Sequence, residues 1–394
     1  MKLNLAVIFG GKSVEHEISI ISALQAIAAV NRQKYNLVPI YISKQGIWHT
    51  GDKLLKLKNY QDLDTLLNKT YKISIDQNDS AHKIYYTRFP LYKRSIKIDV
   101  VLPIIHGSFG EDGGLQGILN AMNIPYVGCG TLASAIAMDK ITTKALMRNV
   151  GINVLDYLDF YSSNWINSKI QVITQIKSKF SFPLIVKPSN LGSSIGVTIA
   201  NNDQQLEDAM DLAARMSQRI MVEPKIVNLR EINCAVLGDR DGVEISACEE
   251  PIRSDQILSY EDKYARGKKT GKMPGGIKTG ANHVENGMAS AERKIPADLS
   301  KEMENTIKEM AEKAFISLDC NGVARIDFLL NHSNNEIYLC ELNTIPGSLS
   351  FYLWEPLGKG FSSLIDDLIY LALKRHREDN NLIQSYAKNI LNIS

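Results

Sequence analysis

The chain is 394 residues long, 44% hydrophobic, and carries a formal net charge of +2, which is enough apolar material for a large core divided among two or three domains. So even a balance of charge excludes an electrostatic basis for binding nucleic acid or a membrane surface, and short basic clusters such as Lys374-Arg375-His376-Arg377 and Lys268-Lys269 read as solvated faces. Five cysteines without C-x-x-C spacing suit a reduced, cytoplasmic setting in which thiols act as small core hydrophobes; no run reaches membrane-spanning length, and the N-terminus enters an apolar strand without a secretory-signal pattern.

The first region, 1–127, opens as strand, Gly-rich turn and helix: Leu3 to Phe9, then Gly10-Gly11-Lys12-Ser13, then about Glu17 to Asn31. Strand candidates Leu37 to Ile42 and Val100 to Ile105 follow, the latter running into His106-Gly107 before a helix around Leu115 to Met122. This alternation predicts an open parallel α/β sheet, whose ligands gather at the carboxyl ends of the strands, where both Gly-rich turns lie. The second region, 128–222, has a helix over Ala133 to Asn149 and two short strands, Pro183 to Lys187 and Val197 to Ala200, joined by a small-residue loop that reads as a flap. The third region, 223–394, is a mixed sheet interrupted by a Gly- and Lys-rich stretch, Ala265 to Ser290; loops of that length inside a domain are usually lids or linkers.

The most informative segment is a hairpin. Val323 to Leu330 and Ile337 to Leu342 are apolar runs separated by turn-type residues. A register centred on Asn334 sets Asp327 opposite Glu341 and Arg325 opposite Asn343, with all four on one face. Facing carboxylates repel, and a cation between them removes the conflict. Oxygen donors from Asp, Glu and Asn suit Mg²⁺, which binds one or two carboxylates and completes its shell with phosphate oxygens and water. The competing reading is a solvated outer sheet face.

Other segments bear on that choice. Gly192-Ser193-Ser194-Ile195-Gly196 lacks the spacing of a P-loop, yet successive N–H groups in such a loop make an anion nest. Lys187 and Lys140 would point cations at the same anion, or else lie along the surface as buried stems. Met221 to Ile226 connects two regions and is where an adenine base would pair with strand-edge groups, with Glu223 there and Glu231 in reach of a ribose. In His106-Gly107-Ser108-Phe109-Gly110-Glu111-Asp112-Gly113, the acidic pair reads as helix caps ahead of catalysis, and His106 as a substrate contact.

These blocks, with Gly10 to Ser19, Met138-Asp139-Lys140, Tyr260-Glu261-Asp262-Lys263-Tyr264 and Glu341-Leu342-Asn343-Thr344-Ile345-Pro346-Gly347, occur in an order that resembles the D-alanine–D-alanine ligases of the ATP-grasp superfamily across nearly the whole chain. The resemblance implies a three-domain ATP-grasp architecture, a homodimer, and ATP with Mg²⁺ (or Mn²⁺) between the second and third domains. It implies metal ligands at Asp327, Glu341 and Asn343, and nucleotide contacts at Lys140, Lys187, Ser194, Glu223, Glu231 and Lys263. It also implies a trio Glu15, Ser193 and Tyr264 over the substrates, and oxyanion donors at Arg325 and the Gly347 N–H. The implied reaction joins two D-amino acids through an acyl phosphate, supplying a peptidoglycan precursor. Where the family commonly has Ser before the Leu that meets the second substrate, this chain has Tyr352 before Leu353. That departure leaves D-serine, D-lactate or another amine open as acceptor, while Lys263-Tyr264 favours a D-amino acid. Another ATP-grasp carboxylate–amine ligase, or a nucleotide-binding regulator without turnover, are the remaining alternatives; the latter would lack Asp327, Glu341 or Arg325.

Overall fold

The computed structural model describes residues 2–76, 82–88, 92–252 and 293–383. Leu3–Gly10 is the centre of its first sheet, pairing in parallel with Tyr35–Ile42 on one side and Val100–Ile104 on the other. Residues 5–10 of this strand are buried on both faces, as a continuous apolar run in a parallel core demands. The helix His16–Ala29 makes the crossover between the first two strands.

These three strands form the expected parallel sheet, and beyond them it continues antiparallel. Trp48–Thr50, Tyr71–Ile75, Lys83–Arg88 and Tyr92–Lys97 extend the same sheet to seven strands, every added pairing antiparallel. Parallel neighbours need a crossover of a dozen or more residues; the connections 43–47, 76–82 and 89–91 are too short for one, and the longer connection 51–70, which carries the helix Leu63–Asn68, also returns antiparallel.

The predicted helix over 133–149 is two helices, Thr131–Met138 and Lys140–Asn149. Asp139 between them is extended (φ −92°, ψ 105°) and its carboxylate accepts the Thr142 N–H at 2.7 Å, a side-chain cap that starts a fresh helix one residue later. Lys140 therefore stands at a helix start, its own N–H donating to Ser189 O at 2.8 Å. The central sheet runs in the order Thr198–Ala200, Leu184–Pro188, Arg219–Pro224, Leu158–Tyr161, all antiparallel, so the predicted flap is a hairpin at its edge. The third sheet, also antiparallel, has the order Gly242–Ile245, Leu229–Asp239, Gly322–Asn331, Glu336–Asn343.

The first and third regions share a core. Leu5, Val7 and Phe9 of the first sheet cluster with Trp354, Leu364 and Leu368 near and on the C-terminal helix Phe361–Asn380. Arg375 on that helix donates to Tyr126 O at 2.8 Å and lies 4.4 Å from the Tyr126 ring centroid. The central region keeps its own core around Trp165, Val186 and Leu206. No helix among the described residues is long and apolar enough to cross a membrane.

Candidate active site

The hairpin carries the predicted face with one irregularity. Asp327 pairs with Glu341 and Arg325 with Asn343, but Phe328 pairs with Leu339, so Cys340 is an extra residue in a β-bulge. The turn is accordingly centred between Ser333 and Asn334, with Asn331 opposite Glu336, and the bulge restores the register that brings the two carboxylates opposite each other. Arg325 donates to both Asp327 oxygens, at 2.7 and 2.6 Å. Asn343 Nδ2 lies 3.1 Å from Asp327 Oδ2. Burial alone would lower the Arg325 pKa; the Asp327 carboxylate reverses that and holds the guanidinium firmly charged.

Behind this face lies a buried charge cluster. Glu223, 0% exposed, receives Lys144 on one carboxylate oxygen and Lys187 on the other. Burial works to raise the Glu223 pKa, and the two ammonium groups overcome it, bringing the carboxyl down to about 2. For Lys187 burial works downward and Glu223 reverses it, keeping the ammonium above its ordinary range. Lys140 reaches forward instead, donating to Leu191 O at 2.7 Å and lying 3.4 Å from Glu341 Oε2. Lys140 and Lys144 are one helical turn apart on the same face, which brings both inward.

From the first sheet, Glu15 stands just before the helix His16–Ala29 and accepts the Ser193 hydroxyl of the flap. Glycine makes room for it twice: a Cβ at Gly107 or at Gly192 would sit 2.8 Å from Glu15 Oε2, and Gly107 also has φ +75°. Asp112 does cap, accepting Phe109 N–H and Gly114 N–H at 2.7 and 2.9 Å. Glu111 does not: its two oxygens accept Gly107 N–H at 2.7 Å and Ile345 N–H at 3.1 Å, linking the first sheet to the loop after Asn343. Burial first, and the Glu15 charge second, push Glu111 up to about 8. His106 has both ring nitrogens engaged by protein, Nδ1 with Ile345 O and Nε2 with Ser22 Oγ, each at 2.9 Å. Burial holds the imidazole down at about 4, hence neutral at pH 7.

A single cavity is lined by Glu15, His106, Lys140, Ser193, Arg325, Glu341, Asn343 and Gly347 among the predicted residues, with Glu111 added. Lys187, Glu223 and Asp327 are not among its lining residues, and Glu231 lies on the strand Leu229–Asp239 opposite Leu329. Ser194 is in the flap loop with φ +59°. Lys263, Tyr264 and the predicted lid, 265–290, lie outside the described residues.

Tyr352 and Leu353 are buried, Leu353 wholly in the shared core. The Tyr352 hydroxyl is 3.3 Å from Glu249 Oε1, and the Arg293 guanidinium sits 4.0 Å from its ring centroid. Glu249 in turn receives Asn233 Nδ2 at 2.9 Å and Arg293 at 2.7 Å. Sequence reasoning missed Lys144, Glu249, Arg293 and Ser22. Spacing from Lys140 marks Lys144; nothing local marks Glu249, whose neighbours arrive from distant strands.

Two family models match the chain. Residues 4–129 match the family model described as D-ala D-ala ligase N-terminus, and 146–370 the model described as D-ala D-ala ligase C-terminus. A D-alanine--D-alanine ligase of Thermosipho melanesiensis is 38% identical over 392 residues, covering 99% of each chain. Among solved structures, the D-alanine-D-alanine ligase from Coxiella burnetii superposes with a TM-score of 0.78 at 31% identity, covering 97% of each chain. The VanG D-Ala:D-Ser ligase from Enterococcus faecalis gives 0.76 at 31% identity, covering 94% of this chain and all of that one.

Proposed function

The chain belongs to the D-alanine–D-alanine ligase family, and from that premise we propose that it joins D-alanine to D-alanine with ATP, through an acyl phosphate, for peptidoglycan precursor synthesis. The observation that carries the reading is the convergence on one cavity of Glu15, Ser193, Arg325, Glu341 and the Gly347 loop, which come from three different sheets or their loops. The organisation into 1–127, 128–222 and 223–394, the homodimer and the cytoplasmic setting belong to the same proposal; a monomeric sedimentation mass would overturn the dimer.

In this mechanism the carboxylate of the first D-alanine attacks the γ-phosphate of ATP, giving acyl phosphate and ADP. The amine of the second attacks the acyl carbon, and phosphate leaves as the amide forms. Glu15, held by Ser193, takes the ammonium of the first substrate. Lys140 and Lys187 offset charge on the phosphates, with Glu223, Glu231, Ser194 and Lys263 completing the nucleotide contacts. Arg325 and the Gly347 N–H face the tetrahedral oxyanion. Tyr264 completes the trio with Glu15 and Ser193, and Tyr352 with Leu353 forms the wall behind the acceptor. The donor set fits a hard divalent cation: two opposed carboxylates and a neighbouring amide on one face. Asp327, Glu341 and Asn343 would hold Mg²⁺ or Mn²⁺, which supplies further charge neutralisation on the phosphates when bound.

A second reading keeps the chemistry and changes the acceptor to D-serine. It is favoured by Tyr352 standing where the family commonly has Ser, and by the likeness to the D-Ala:D-Ser ligase. Parallel incubations with D-alanine, D-serine and D-lactate, following ADP release and product mass, separate the two. Absence of dipeptide with D-alanine alone would sink the first.

A further inference from the structure

The loop bearing Gly347 is not held by its own conformation. Ser348, Leu349 and Ser350 follow it with φ of 52°, 52° and 51°, a run of left-handed geometry that residues with a Cβ avoid. A loop of this kind persists only where its surroundings over-determine it, and here the surroundings belong to the first region.

Four contacts reach across the sequence to grip it, one of them the Ser348 hydroxyl donating to Gln25 Oε1 at 2.5 Å. Ile345 N–H donates to Glu111 Oε1 at 3.1 Å, Ile345 C=O meets His106 Nδ1 at 2.9 Å, and Ser348 N–H donates to Ser22 Oγ at 3.2 Å. A fifth contact, His106 Nε2 to Ser22 Oγ at 2.9 Å, joins two of the grips. The directions follow without choice. A carbonyl oxygen only accepts, so Nδ1 carries the proton; a neutral ring then has Nε2 as acceptor, so the Ser22 hydroxyl donates to it. That leaves the Ser22 oxygen to take the Ser348 N–H. Each group is used once, and none conflicts. Glu111 is itself steadied by Gly107 N–H at 2.7 Å.

Gly347 lies between the gripped peptides at 345 and 348. Ser22 is on the helix His16–Ala29 that begins directly after Glu15. The same helix is tied to the sheet through Ser19, which donates to Ile104 O and accepts the Gly10 N–H at 2.7 Å.

We propose that Ser22, His106 and Glu111 are positioning residues that aim the Gly347 N–H from the first region, so that the oxyanion donor and the Glu15 carboxylate share one rigid base. The inference rests on the ligase reading. It replaces the direct substrate contact expected of His106 with an indirect one, through the loop.

The test uses Ser22→Ala, which removes the middle link, together with His106→Ala and His106→Asn; the Asn amide keeps a donor near the position of Nδ1. Turnover, KM for ATP and for D-alanine, melting temperature, and affinity for a phosphinate dipeptide analogue with a tetrahedral phosphorus are measured in the full chain with ATP present. For Ser22→Ala the expected result is a fall in kcat of about tenfold or more with an equal loss of phosphinate affinity, while both KM values stay within about twofold. His106→Asn should recover part of what His106→Ala loses. Unchanged phosphinate affinity in Ser22→Ala overturns the inference, as does a loss carried entirely by KM or by melting. Failure of the unaltered protein to form any dipeptide strikes the ligase reading instead, so the two failures are distinguishable.

Discussion

Glu223→Gln is a sharp test of the buried charge cluster. The substitution keeps the shape of the side chain but replaces two acceptor oxygens by one oxygen and one NH₂. Lys144 and Lys187 occupy different oxygens of the carboxylate, so whichever way the amide turns, one ammonium faces a donor. Both lysines are more than 90% buried, and stranding a buried charge costs about 3–5 kcal/mol. A second route agrees: a carboxyl taken from its ordinary 4.5 to about 2 on folding contributes about 3 kcal/mol of stability at neutral pH.

The expected outcome is therefore a loss of about 3 kcal/mol at pH 7, read by urea unfolding without ligand. Tryptophan fluorescence is a suitable probe because Trp165 is fully buried in the central core, beside the strand that carries Glu223. The folded pKa lies below the unfolded one, so the contribution is complete above pH 4.5 and lost as pH falls toward 2. The gap between the unaltered protein and the variant should narrow by about 1.4 kcal/mol per pH unit below 4.5. Adding Lys144→Met removes one stranded charge, and the double variant should lose at least about 1 kcal/mol less than the sum of the single losses. A gap under about 1 kcal/mol at pH 7, or one unchanged between pH 6 and 3.5, would refute the reasoning.

Three further outcomes follow from the site. Glu341→Ala should abolish ADP formation while circular dichroism shows an intact fold; near-normal turnover at saturating Mg²⁺ would remove Glu341 from the metal site. Arg325→Met should raise the barrier to dipeptide formation by about 3–4 kcal/mol, a fall in kcat of about 10²–10³-fold, and a change confined to KM would assign Arg325 to substrate binding alone. Tyr352→Phe removes one hydrogen bond to Glu249 and leaves the Arg293 contact with the ring, so stability should fall by about 0.5–1.5 kcal/mol with the acceptor KM within about twofold; a large rise in that KM would put the hydroxyl on the acceptor.

What the sequence disclosed, and what it withheld, divides along the range of the interactions. Local signals carried far: the strand, turn and helix of residues 3–29 and the hairpin at 322–343 appear within a residue or two of their expected limits. The Asp327–Glu341 pairing was reached from a turn centred on Asn334, while the turn lies half a residue earlier and the bulge at Cys340 compensates. A bulge leaves no mark when its extra residue is a cysteine in an apolar run. Leu339 there donates to Asn153 O at 2.8 Å, a contact set by a segment far away in the chain. The antiparallel extension of the first sheet was hidden for a related reason, since short half-buried strands carry a weak period and depend on their neighbours for definition. The same distinction separates the residues of the site. Asp327, Glu341, Ser193 and Gly347 sit in dense local patterns, whereas Glu249, Arg293 and Ser22 act through partners that only the fold supplies. Ser19 and Ser22 did leave a trace, two hydroxyls three residues apart in the polar row His16, Ser19, Ser22 and Gln25 of a helix whose other buried residues are apolar. Burial without a partner costs a hydroxyl more than exposure does, so such a pair implies fixed acceptors waiting in the core, and in this chain those are Ile104 O for one and His106 Nε2 for the other.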